Sequence, residues 1–232
     1  MILEELVESY KPNDRVISAM AKIKILAAVG PTASGKTTLM EALAENRPQF
    51  GLVLDETSRR PRTDEKQGVD FVFRKKEEII EDAKNGDLVQ VAIGPNGDLY
   101  CTRINSYPEQ GMGLIALVPA AVIEFRKLPV ASFKAVFIVP STYAQWQKWL
   151  AKQADDSQWT DEQLKRRLEE AKQSFEFALS DGHLSFVLND DTSSAVRRLL
   201  QVADDEPLDD KALARNILED NYRKLLSAID IK

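Results

Sequence analysis

"AAVGPTASGKTTLMEAL", Ala27 to Leu43, carries three signals in one short stretch. An apolar, β-rich run reaches Val29. A loop bracketed by Gly30 and Gly35 follows, and Leu39, Met40 and Leu43 then recur at helical spacing. The segment from Gly30 to Thr37 fits G-x-x-x-x-G-K-[ST], the P-loop pattern, in the strand-to-helix context that pattern requires. Glycines allow the backbone to curl so that successive N–H groups converge on phosphate oxygens. The helix behind them adds the positive end of its dipole. Lys36 is then placed for the β- and γ-phosphates, and the Thr37 hydroxyl for Mg²⁺. The stretch predicts a nucleoside-triphosphate site built from Gly30, Ser34, Gly35, Lys36, Thr37 and Thr38, with Thr37 as the metal ligand.

The 232 residues are 44% hydrophobic and 29% charged, enough for one good core and a small inserted lobe. A net charge of -6 gives no general attraction for nucleic acid or acidic membranes, so phosphate chemistry must rest on local basic groups. A single cysteine, Cys101, excludes an internal disulfide. With one cysteine and one histidine, His183, no zinc site is expected; His183 reads as an inert turn residue. No stretch approaches the ~20 apolar residues of a membrane span. The expectation is a cytoplasmic protein, monomer or homodimer, with no nucleic-acid or membrane partner.

Short β-rich runs recur at Ile23–Val29, Leu52–Leu54, Val69–Phe73, Leu88–Ile93, Leu114–Val118, Phe133–Val139 and Leu184–Leu188. Helical patterns separate several of them. One, Lys76–Lys84, stops at Asn85-Gly86. Another starts at Thr160, where Thr160-Asp161-Glu162-Gln163 has the form of a capping box. Strands alternating with helices predict an α/β fold with a parallel central sheet. Asp55 to Arg103 breaks the alternation and reads as an inserted β-rich lobe. Residues 1–21 and 205–232 read as appended, the latter an acidic hinge, "DDEPLDD", before a helix from Lys211 to Ile229.

"ETSRRPRTDEKQGVDFVF", Glu56 to Phe73, crowds Arg59, Arg60 and Arg62 around Pro61. In an acidic protein this is a local cationic clamp, and guanidinium forks suit phosphate oxygens. Together with the P-loop, the segment Thr57-Ser58-Arg59-Arg60-Pro61-Arg62 resembles the guanylate kinase family over residues ~22–203. Glu65, Gly68 and Asp70-Phe71-Val72-Phe73 follow at that family's interval. "NGDLVQVAIGPNGDLYCT", "DEQLKRRLEEAKQSF" and "FVLNDD" follow in the family's order.

The resemblance implies a P-loop three-layer enzyme of residues 22–204 that passes a phosphoryl group from ATP to a nucleoside monophosphate. A monophosphate-binding lobe (55–103) and a helical lid (142–167) are implied as well. It makes Lys36 and Arg167 the catalytic pair, with Arg167 bridging donor and acceptor, and puts Asn189 near the adenine. Arg59, Arg62, Tyr100, Thr102, Gln90, Asp55 and Asp70 are left for the acceptor.

Departures from the family pattern gather at the acceptor. Its guanine-reading glutamate falls on Gln90, a nearby serine on Asp55, a phosphate-binding tyrosine on Phe71 and a glycine on Cys101. An Asp-x-Asp pair falls on Ala116 and Val118. A carboxylate accepts from both donors of guanine, whereas an amide presents one acceptor and one donor. Gln90 therefore predicts relaxed or altered base preference. The lid offers Lys148 and Lys152 ahead of Arg166 and Arg167, fewer arginines than usual, and Trp146, Trp149 and Trp159 read as packing residues. Two other readings stay open: an inactive guanylate-kinase-like binding module, and a kinase of another phosphorylated acceptor such as a ribose bisphosphate.

Overall fold

The computed structural model describes residues 3–61, 65–94 and 97–229. In chain order its elements are α1 (Leu3–Glu8), α2 (Asp14–Met20), β1 (Lys24–Val29), α3 (Lys36–Asn46), β2 (Phe50–Leu52), β3 (Glu56–Thr57), β4 (Val72–Phe73) and α4 (Lys76–Asn85). There follow β5 (Gln90–Ile93), β6 (Leu99–Thr102), β7 (Met112–Ala116), α5 (Pro119–Phe125) and β8 (Ser132–Pro140). The chain ends with α6 (Tyr143–Asp156), α7 (Asp161–Ser180), β9 (Ser185–Asn189), α8 (Thr192–Ala203) and α9 (Lys211–Ile229).

Two sheets result. The first has five strands in the order β2-β7-β1-β8-β9, with β2 parallel to β7 and β8 parallel to β9. The second is mixed, in the order β4-β3-β6-β5. Both faces of the first sheet's strands are apolar: β1 buries Ile25 to Val29 without a break, as β8 buries Ala135 to Val139. Continuous apolar runs of that kind belong to parallel strands covered on two sides. The expected α/β class is what the chain adopts. Several strands lie a few residues from their apolar runs: β2 begins at Phe50 rather than Leu52, β7 covers Met112–Ala116, and β4 is only Val72–Phe73.

The chain divides into two compact units. The first comprises Met1–Ile25, Gln49–Ile115 and Ile123–Phe133; the second comprises Leu26–Pro48, Ala116–Val122 and Lys134–Lys232.

In the first unit the mixed sheet packs on α4 and α1 around Leu6, Ile79, Ala83, Leu88, Val91, Leu99 and Cys101. The N-terminal helices are tied in by polar contacts too. The Tyr10 hydroxyl donates to the Leu88 carbonyl and accepts from the Leu88 N–H, and burial pushes its pKa up to about 12. Asn13 caps α2 and donates to Asp87 at 2.9 Å. Charge closes the lobe on another side. The Arg74 guanidinium donates to Glu56 at 2.8 Å and to Asp82 at 2.6 Å, and Arg103 binds the same two carboxylates. Two acids and two bases thus alternate in a ring with no net charge. Losing one member of such a low-exposure set is expensive, about 3–5 kcal/mol, because it strands the others.

In the second unit the capping box at Thr160 is formed as expected: its hydroxyl accepts from Gln163 N–H while the Gln163 side chain accepts from Thr160 N–H. Helix α9 packs on α7, α6 and β9 and buries Ala214, Leu218, Asn221 and Leu225. The acidic hinge before it is pinned. Arg47 holds Asp204, Lys134 reaches Asp205 at 2.8 Å, and Arg198 reaches Asp210 at 2.6 Å.

Candidate active site

In the second unit, Gly30 to Gly35 forms the turn between β1 and α3. The geometry demands glycine at both brackets. A Cβ on Gly35, which sits at φ 88°, would lie 2.7 Å from the Asn189 amide. A Cβ on Gly30 would lie 2.9 Å from Ser34 Oγ and 3.0 Å from the Ile138 carbonyl. Ala33 between them adopts φ 61°, a left-handed conformation that non-glycine residues rarely keep.

Lys36 opens α3 and folds back over the arch, its Nζ donating to the carbonyls of Gly30 and Pro31 at 2.8 Å each. Burial, with the Arg167 guanidinium adding repulsion, pulls its pKa down to about 8. Thr37 and Thr38 are exposed on the first turn of α3. Ser34 is fully buried, and its Oγ has no hydrogen-bond partner among the described residues.

Arg167 lies on α7. It donates to Glu170 at 2.8 Å and sits 5.5 Å over the Trp159 ring. Asn189 ends β9, buried, and donates to the Ser34 carbonyl at 2.9 Å, so its amide is engaged with the loop. Trp146, expected only to pack, is buried and also donates from its indole to the Thr32 carbonyl at 2.7 Å. Nothing in the sequence pattern announces that bond, since an aromatic at a core-facing helical position looks the same with or without a polar partner.

In the first unit the expected acceptor residues cluster on the mixed sheet and its loops. Arg59 is gripped by Glu65 through two 2.6 Å bonds, and its guanidinium lies 4.8 Å over Phe71 and 5.5 Å from the centre of Phe73. Glu65 holds it firmly charged, with Tyr100 contributing. Tyr100 meets Phe71 edge-on at 6.3 Å. Across the β5–β6 ladder Gln90 pairs with Thr102. Both are buried, and the Thr102 hydroxyl shares a 2.9 Å bond with Tyr107.

Asp55 is half-buried just before β3, and loss of solvent pushes its carboxyl up to about 7. Asp70 is occupied locally, accepting from Lys66 N–H at 2.8 Å. Arg62 lies outside the described residues. Cys101 is buried, and burial drives its thiol well above the usual range.

No group of three metal-ligating side chains occurs among the described residues. No described helix is long and apolar enough to cross a membrane.

A left-handed glycine arch leading from a buried parallel strand into a lysine-headed helix defines the class of P-loop phosphate-binding proteins. The family model described as Guanylate kinase matches residues 22–206. The guanylate kinase of Frankia casuarinae is 30% identical over 176 residues, covering 74% of this chain and 91% of its own. That of Schizosaccharomyces pombe is 27% identical over 187 residues, 77% and 89% respectively. That of Synechocystis is 28% identical over 191 residues, 80% and 95%. Among solved structures, guanylate kinase from Anaplasma phagocytophilum superposes with a TM-score of 0.55 at 18% identity, covering 83% of this chain and 89% of that one. The chain belongs to the guanylate kinase family, P-loop kinases of nucleoside monophosphates.

Proposed function

We propose that the protein transfers the γ-phosphoryl group of ATP to GMP, with Mg²⁺ neutralising the triphosphate. The observation that carries this is the Gly30–Thr37 arch, in which Lys36 heads α3 and lies curled over the carbonyls of Gly30 and Pro31. Phosphate oxygens are better acceptors than carbonyls, so a bound triphosphate draws Lys36 out and holds it in its charged form. Phosphoryl transfer asks little covalent chemistry of the protein; positioning and neutralisation supply the rate.

On this reading the N–H groups of the arch, with Lys36, Thr37 and Thr38, bind the donor phosphates, and Arg167 covers charge on the transferring group. Arg59 and Arg62, with Tyr100, bind the acceptor phosphate. Gln90, Asp55 and Thr102 face its base, and Asp70 shapes the loop that carries Phe71. Asn189 lies near the donor adenine and also braces the loop through its bond to the Ser34 carbonyl.

A coupled assay with MgATP and a panel of GMP, dGMP, AMP, UMP and CMP tests the proposal. Turnover with GMP that disappears in Lys36→Ala is the expected result. Absence of turnover with every monophosphate overturns it.

A further inference from the structure

Thr32 and Ser34 flank Ala33, the non-glycine residue held at φ 61° in the arch. Their carbonyls are both held by side chains from outside the loop: Thr32 by the Trp146 indole at 2.7 Å, Ser34 by the Asn189 amide at 2.9 Å. A trans peptide unit is planar, with its C=O and N–H pointing in opposite directions. Fixing the Thr32 carbonyl therefore aims the Ala33 N–H the other way, and fixing Ser34 does the same for Gly35. A left-handed non-glycine residue persists only where its surroundings over-determine it.

The indole is itself immobilised. Its ring meets Phe175 at 5.6 Å and 81°, and Tyr143 at 5.7 Å. Phe175 in turn meets Tyr222 of α9 at 6.3 Å, and the Tyr222 hydroxyl donates to Glu176 at 2.8 Å. Asn221, next along α9 and fully buried, donates to the Pro140 carbonyl at 2.8 Å, at the strand end that leads into α6. The family match stops at residue 206, so α9 lies beyond it.

We propose that Trp146 is a positioning residue for the P-loop: its indole N–H orients the Thr32–Ala33 peptide so that the Ala33 amide faces the donor phosphates, with α9 backing the indole through Phe175. The proposal rests on the reading of the arch as the ATP site.

Trp146→Phe keeps an aromatic ring in the core and removes the N–H. Michaelis constants for ATP and for GMP, kcat and the melting temperature are measured beside wild type. Loss of one such bond is expected to raise the ATP constant about three- to tenfold, with the GMP constant unchanged. An unchanged ATP constant overturns the proposal, as does an equal rise in both constants that follows a fall in melting temperature, which is what a merely structural residue gives. Should Trp146→Phe not fold, the doubly substituted Trp149→Phe, Trp159→Phe protein leaves Trp146 as its one tryptophan. Its emission should change saturably with MgATP and not with GMP alone; an emission indifferent to MgATP overturns the proposal. Failure of wild type to bind ATP would sink the ATP-site reading itself, a different result from wild-type binding that Trp146→Phe leaves intact.

Discussion

Arg59 and Glu65 meet as two planar forks, Nη1 on Oε2 and Nη2 on Oε1, each at 2.6 Å. The pair fixes the plane of the guanidinium, and Phe71 and Phe73 lie against it. An orientation set this way is lost with lysine, which keeps the charge but has neither fork nor face. Arg59→Lys should raise the Michaelis constant for the monophosphate about 10- to 100-fold, while the constant for ATP stays near wild type. Steady-state kinetics with each substrate varied in turn checks this; a monophosphate constant that Arg59→Lys leaves at the wild-type value would dismiss the clamp.

Lys36 gives a pH dependence with a definite sign. Its pKa in the ligand-free protein is pulled from 10.5 down to about 8, while phosphate favours the charged form. Below pH 7 the site is already protonated, and ATP affinity is flat. Above pH 8 binding must take up a proton, so affinity falls by up to about tenfold per pH unit. Calorimetric titration between pH 6.5 and 9.5, in buffers of differing ionisation enthalpy, should show proton uptake on the alkaline side. ATP affinity independent of pH to 9.5 would contradict it.

Gln90 is buried on β5, where the family carries a guanine-reading carboxylate by resemblance. Each unsatisfied buried donor costs about 1–3 kcal/mol. Gln90→Glu should therefore increase kcat/KM for GMP about tenfold or more relative to AMP. An unchanged ratio would mean that this side chain does not read the base.

Asp55 makes the converse case, a carboxyl raised from 3.8 to about 7 by loss of solvent. Between those values the folded state binds more protons than the unfolded one, so stability falls as pH rises from about 4 to 7 and levels off beyond. Asp55→Asn removes the ionisable group. Its melting temperature should exceed wild type by a few degrees at pH 8 and match it at pH 4, which thermal melts at the two pH values test.

The local elements were readable because their signals are short-range. Gly30 and Gly35 sit at fixed spacing from Lys36, Thr160 and Gln163 form a box within four residues, and "DDEPLDD" sets off the helix that begins at Lys211. What escaped reading was pairing over distance. Arg74, Asp82, Arg103 and Glu56 look like ordinary surface charges in sequence, yet they close a ring over nearly fifty residues of chain. "DDEPLDD" has the composition of a flexible connector, but Arg47 and Lys134, both remote in sequence, and Arg198 of the preceding helix capture three of its acids. Strand limits drifted for the same reason: a run of apolar residues records burial, whereas a strand ends where its neighbour's hydrogen bonds end.

The tying of α1 and α2 to the mixed sheet, through Leu6 and the Tyr10–Leu88 bonds, has a practical side. A fluorophore or spin label on an exposed position of α1 is therefore anchored to the mixed sheet, and one on α9 to α7 and β9. Each offers a labelling position held by packing, remote in sequence from the Gly30–Thr37 arch.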